Sequence, residues 1–366
     1  MAPEVKRLET DYAVRPGETL YETIDALGMT QAELARRMGR PIKTVNEIIK
    51  GKATITADTA LQLERVLGVP ARFWLALEAN YREDLARLDE RQTLDPSAAA
   101  WLLAIPYREM DQYGWVDISR CTSDADTLGV VLKYFGVASV AAWNETWTSP
   151  HATFRKSSLF DAAPGAVAAW LRQGEVVGQS ISCSPFSVKK FRKAIEQARA
   201  LTTEPPDVFV PAIQGFCAQT GVAVAFVREM PKCPASGATQ WLSSTKALIQ
   251  LSLRYKSDDH LWFTFFHEAG HVLLHGKRLG FLEGQETTSA EQPEQEANYF
   301  AEDMLIPRRQ WEEFVTSGTL SAVSIGAFAH RLGIAPGLVV GRLQHEKLVP
   351  YRSRLNALKR RFSWGL

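Results

Sequence analysis

Residues 260–275 read HLWFTFFHEAGHVLLH, and how this stretch is taken decides the fold of the C-terminal half of the chain. The run at 261–266 is apolar apart from Thr264, and no Gly or Pro interrupts it before Gly270, so a buried helix is expected here. On a helix, residues four apart lie about 400° around the axis, which turns the imidazoles of His267 and His271 the same way one turn apart. Two ring nitrogens at that spacing suit a tetrahedral zinc. Glu268, next to the first histidine, can then take a proton from zinc-activated water, and the resulting hydroxide attacks a carbonyl. Gly270 weakens the helix by up to about 1 kcal/mol relative to alanine. Close approach of a second helix or of substrate would offset that loss.

A zinc site open to substrate uses three protein ligands. The stretch 292–305, QPEQEANYFAEDML, is expected to form the helix that supplies the third, with an apolar face of Ala297, Phe300, Ala301, Met304 and Leu305. Glu296 borders that face beside Ala297 and is the favoured ligand, with Glu294 as its competitor; Glu294 and Glu302 are expected in solvent. His275 falls eight residues after His267, about 80° around an α-helix. It is a candidate partner for a ligating imidazole, or a helix cap. His260, His330 and His345 read as surface or packed histidines, any one of which could serve as a transition-state donor.

Residues from about 210 to 345 resemble the ImmA/IrrE family of bacterial zinc metallopeptidases. The likeness is carried by SGATQWL at 236–242, by 260–275, and by EQEANYFAEDMLIP at 294–307. The resemblance implies a small sheet beside two zinc helices. It also implies ligation by His267, His271 and Glu296, with Glu268 as the base. Members of that family are similar in cleaving a partner repressor, often at one site and under stress control. A thermolysin-like carboxylate four residues after the third ligand is missing, because Phe300 stands there, so the groups that orient the zinc histidines are unassigned.

The N-terminal part reads differently. Residues 17–90 carry apolar residues at helical spacing, with Gly28, Gly39, Gly51 and Gly68 as helix stops. TQAELARRMG at 30–39 reads as a helix capped by Thr30 in a capping box with Glu33. A turn at Gly39-Arg40 follows, and Pro41 opens a second helix over 42–50. Two short helices about a glycine turn form a helix-turn-helix, whose second helix enters the major groove. With Val45, Ile48 and Ile49 inward, Lys43, Thr44, Asn46 and Glu47 face bases, while Arg36, Arg37, Arg40, Lys50 and Lys52 meet phosphates; Gln31 joins these DNA candidates. Residues 36–52 hold six basic residues against the single acid Glu47, a local balance of +5 in a chain of net charge +1. A helical protein-interaction module is the alternative. The segment 28–81 resembles the HigA-type branch of the XRE helix-turn-helix family, notably through 56–70 and Phe73-Trp74. That resemblance implies a homodimer on a palindromic double-stranded DNA operator, often one controlling a toxin–antitoxin-like operon.

Composition fits these parts. The 366 residues are 46% hydrophobic and 23% charged, as expected of a globular chain of two or three domains. Cys121, Cys183, Cys217 and Cys233 form no C-x-x-C pair and read as reduced thiols of a cytoplasmic protein. Residues 1–7 lead into no apolar run, and no stretch approaches the length of a membrane span. The fold class expected is mainly α with a small β-sheet (α+β). It comprises a helix-turn-helix domain at 17–90, a helical middle of unassigned role at 91–204, a zincin-like metallopeptidase domain at 205–349 and a solvated basic tail at 350–366. The expected function is a DNA-binding transcriptional regulator with a Zn2+-dependent endopeptidase that cleaves a partner repressor or toxin. A non-proteolytic antitoxin or repressor, whose zinc-type fold binds a partner or senses a signal, is the alternative. A hydrolase of small amides is a third reading.

Overall fold

The computed structural model describes residues 12–92, 95–148, 163–275 and 291–364, so the leaderless start read at 1–7 lies outside the described residues. The chain divides into two compact units, residues 1–99 with 121–128 and residues 100–120 with 129–366.

Among the described residues the first unit is built on the helices α1 Pro16–Ala26, α2 Gln31–Met38, α3 Ile42–Ile49, α4 Ala57–Leu67 and α5 Ala71–Gln92. Leu20, Ile24, Leu34, Val45, Ile55, Leu63 and Trp74 close its core, each at most 2% exposed. The turn between α2 and α3 rests on Gly39, which holds φ at 68°, a conformation that a Cβ strains. Thr30 caps α2 by accepting the Glu33 N–H at 3.2 Å. The expected capping box is only half made: the Glu33 carboxylate turns to Arg36 and to Arg37 Nε (2.6 Å), because two cations one turn on outcompete a single backbone N–H.

In the second unit a three-stranded sheet carries β1 Val222–Phe226, β2 Gly237–Ser243 and β3 Lys246–Leu251 in the order β1-β3-β2. The central strand β3 pairs parallel to β1 and antiparallel to β2. Side chains alternate across a strand, so β3 serves two layers. Ala247, Ile249 and Leu251 join the main core. Leu248 and Gln250 face the other way, against the helix Pro164–Ser180, where Gln250 Nε2 donates to Trp170 O at 2.7 Å. Phe191, Ile195 and Ala198 of the helix Val188–Ala200 enter that same main core. The middle expected at 91–204 therefore does not stand apart; its last two helices cover and extend the sheet of the following segment.

The helix Asp258–Gly270 continues as a π-helical turn, His271–His275, and packs on the sheet and on the helix Glu291–Leu305. The helices Arg308–Thr316, Ala322–Leu332 and Pro336–His345 complete the unit. The segment expected as a solvated tail is built into it. Phe362 is 9% exposed within the core, Arg361 bridges Ser257 as a short strand pair, and Lys359 Nζ meets Asp259 Oδ2 at 2.5 Å. The run Asp124–Trp147 has the length and mean hydropathy (1.3) of a membrane span. It is not one rod, because Gly136 at φ 68° ends its first helix and Phe135 and Trp143 are buried. None of the four cysteines is in a disulfide bond.

Asp258, with no exposed surface, begins the helix that carries the histidine pair. Burial, reinforced by the charge of Asp259, raises its carboxyl from the usual 3.8 to about 6. Between those values the native state holds a proton that the unfolded chain has released, so stability falls as pH rises, by about 3 kcal/mol over the window. Asp258→Asn should flatten the curve of urea-unfolding free energy between about pH 4 and 6; an unchanged slope would assign that pH dependence to another group.

Candidate metal centre and nucleic-acid interface

The helix Asp258–Gly270 points both imidazoles at one spot: His267 Nε2 and His271 Nε2 lie 3.0 Å apart. The carboxylate of Glu294 completes the group, with Oε2 3.3 Å from His267 Nε2 and Oε1 3.5 Å from His271 Nε2. Zinc bonds of about 2.0–2.2 Å in a tetrahedron place ligand atoms roughly 3.4 Å apart, so the spacing fits that ion.

The neighbours fix which nitrogen of each ring is bare. His267 Nδ1 lies 2.9 Å from Asn298 Oδ1, an acceptor, so this nitrogen carries the hydrogen and Nε2 presents its lone pair. His275 Nε2 donates to Glu296 Oε2 at 3.1 Å, which leaves His275 Nδ1 to accept from His271 Nδ1 at 3.1 Å. The lone pair of His271 Nε2 is thereby turned to the same spot. Two lone pairs facing each other at 3.0 Å repel, and a cation between them removes the repulsion.

The carboxylate brought to the imidazoles is thus Glu294, not the expected Glu296. Ala297, Ala301 and Leu305 are the buried residues of the helix Glu291–Leu305. At about 100° per residue, Glu294 lies on the arc they define, one turn before Asn298, while Glu296 lies roughly 150° away. Adjacency to Ala297 does not by itself put a residue on that arc. The correction also removes the apparent gap at Phe300, because the residue four after Glu294 is Asn298. His275, placed about 80° off by α-helical geometry, is drawn under His271 by the π turn, a widening that often marks functional sites. Gly270 has the role foreseen for it: a Cβ there would stand 3.3 Å from Ala297 Cα and 3.1 Å from Phe300 Cδ1.

Glu268 is 7% exposed, and its Oε2 accepts from Thr239 Oγ1 of β2 at 2.7 Å. Gly237 on the same strand makes room for it, since a Cβ at 237 would reach within 2.8 Å of Glu268 Oε1. Burial raises the Glu268 carboxyl above the usual range, against the Thr239 hydrogen bond. Glu294 is the competitor named from the sequence, whereas nothing in the sequence singles out Asn298 and Thr239 for these contacts, although both lie in the quoted segments. His260 stacks on Tyr255 at 4.1 Å and His330 is exposed. His260 and His345 line a separate cavity of about 130 Å³ with Phe263, Glu302 and Arg342.

In the first unit Val45 and Ile48 are buried as expected, and Ile49 is half-buried. Lys43, Lys50, Lys52, Arg36 and Arg37 are exposed, whereas Gln31, Arg40, Thr44, Asn46 and Glu47 are half-buried. Some of these side chains are already engaged: Arg40 Nε donates to Gln62 Oε1 at 2.9 Å, and Lys43 lies 3.8 Å from Glu47.

Comparison with known proteins divides the chain in the same way. A helix-turn-helix family model matches residues 20–74, and the model of the IrrE N-terminal-like domain, a peptidase family, matches residues 227–344. The chain is 35% identical over 80 residues to virulence-associated protein I of Dichelobacter nodosus, covering 22% of this chain and 74% of that protein. It is 33% identical over 81 residues to the uncharacterized HTH-type transcriptional regulator YddM of Escherichia coli, covering 20% and 86%. Among solved structures, an addiction module antidote protein of a HigA family from Coxiella burnetii is 32% identical, covering 23% of this chain and 97% of that one, at a TM-score of 0.21.

Proposed function

Because the chain belongs to the helix-turn-helix family through residues 20–74 and to the IrrE N-terminal-like peptidase family through residues 227–344, we propose that it is a DNA-binding regulator carrying a zinc-dependent endopeptidase that cuts a partner repressor or toxin. The observation that supports the hydrolytic half most is the pair of bare imidazole nitrogens and the Glu294 carboxylate at ligand spacing beside the buried Glu268. His267, His271 and Glu294 hold the metal. Zinc, when bound, acidifies a coordinated water and polarises the scissile carbonyl. Thr239 fixes one oxygen of Glu268, which leaves Oε1 to take up a proton and return it to the departing amine. Asn298 holds the His267 ring, and the His275–Glu296 pair holds the His271 ring.

The test is incubation of native-host extract with the zinc-loaded chain and with the same chain after chelation, followed by sequencing of new N-termini. One protein cut at one or a few sites only by the loaded sample is the expected result. If the loaded chain cuts nothing while binding both zinc and DNA, the protein is a repressor with a metal-bearing fold. Outer partners of a ligating histidine typically contribute 10- to 100-fold to metal affinity, so His275→Ala should weaken zinc binding by about that factor. Chelator competition checks this, and unchanged affinity would leave His275 as a mere helix end.

The helix-turn-helix is proposed to act as a homodimer on a palindromic operator. Operator affinity should fall linearly with salt on logarithmic axes, and Lys43→Ala should weaken it by about tenfold or more. Titration by fluorescence anisotropy measures both, and salt-independent binding would favour a protein-interaction module.

A further inference from the structure

The helix Val188–Ala200 carries Lys189, Lys190, Arg192 and Lys193 within five positions, and no acidic residue occurs between Glu175 and Glu196. At about 100° per residue the four cations cover an arc of roughly 160°. Phe191, Ala194, Ile195 and Ala198, each at most 4% exposed, fill the opposite side. Apart from Val188, the solvent face of the first two turns is therefore cationic, and all four charged side chains are exposed.

Helix stability does not account for this arrangement. Lys189 and Lys190 sit in the first turn, where the helix macrodipole disfavours positive charge. Lys189 and Lys193 are four apart, and Lys189–Arg192 and Lys190–Lys193 are three apart, so like charges face each other on the helix surface. Several exposed arginines elsewhere have a carboxylate one turn away, as in Arg37–Glu33, Arg308–Glu312 and Arg309–Glu313. Here Glu196 stands four after Arg192, yet among the described residues none of the four cations forms an ion pair. A locally unfavourable arrangement that the fold leaves in place points to a partner that relieves it.

We infer that this face of the second unit binds the phosphate backbone of DNA, as a contact additional to the helix-turn-helix. A protein partner would want an apolar or aromatic anchor at the centre of its footprint, and Val188 is the only large apolar residue exposed on these two turns. Phosphate contacts need charge alone and carry no sequence preference. The inference rests on the DNA-binding reading above, and its test separates the two.

The full chain and a variant with Lys189→Gln, Lys190→Gln, Arg192→Gln and Lys193→Gln are titrated onto a mixed-sequence duplex of about three helical turns at salt from about 50 to 300 mM. Each phosphate contact contributes about 0.9 to the logarithmic salt slope, so the variant's slope should shrink by about 2 to 4 and its affinity should fall at least about tenfold. An unchanged slope overturns the inference and leaves the helix-turn-helix reading intact. If the unsubstituted chain binds no duplex at any salt, both fall. The variant should also resist urea at least as well as the parent, since only repulsion has been removed; a loss of stability would assign the cations to the fold and overturn the inference.

Discussion

Replacing Glu294 with alanine should weaken zinc binding by more than about 100-fold, whereas Glu296→Ala should weaken it by about 10- to 100-fold. The order follows from where the two carboxylates stand. Glu294 reaches both bare ring nitrogens, at 3.3 and 3.5 Å, so its loss removes a ligand and leaves the two imidazoles to hold the ion alone. Glu296 touches neither ring; it accepts from His275 Nε2 and from Gln292 Nε2, and acts one shell further out. Its loss loosens the tautomer and orientation of His271 while leaving all three ligands present. Competition against a chelator of known affinity, with metal counted by atomic spectroscopy, measures both variants. Equal losses, or a larger loss at Glu296, would mean that the helix Glu291–Leu305 turns on loading and that the arrangement described here is not the binding one.

A second substitution separates holding the metal from using it. Glu268→Gln should leave zinc content and operator binding at parental levels and reduce cleavage of the partner by about 10²- to 10⁴-fold. The amide has the shape of the carboxylate and can still accept the Thr239 hydroxyl at the position where the hydrogen bond now measures 2.7 Å. What it cannot do is accept a proton at the other atom. That atom lies beside Gly237, where the missing Cβ leaves space, so the amide group fits without displacing β2. Parental cleavage by a zinc-loaded Gln variant would show that another group moves the proton and would remove Glu268 from the reaction.

Local signals made part of this architecture legible in the sequence. The four-residue spacing of His267 and His271, the unbroken apolar lead-in and the glycine at 270 told of a buried helix crossing another at close range. The cap at Thr30 and the left-handed turn at Gly39 told of the helix-turn-helix. Other features resisted for identifiable reasons. The choice between Glu294 and Glu296 needed the phase of a whole helix, set by Ala297, Ala301 and Leu305 together. The position of His275 assumed an α-helical turn, and the chain makes a wider one. The basic segment after 350 looked solvated because its main anchor, the pairing of Lys359 with Asp259, joins residues 100 apart that no periodicity connects.

That last pairing gives the polypeptide an order of maturation. The start of the histidine-bearing helix is pinned by Lys359, Arg361 and Phe362, which are synthesised long after α1 to α5 are complete at residue 92. The interval from 92 to 362 is 270 residues, or on the order of 15 to 50 s of synthesis at about 5–20 residues per second. During translation the helix-turn-helix is therefore complete well before the start of the histidine-bearing helix is pinned, so the two parts of the chain mature in that order.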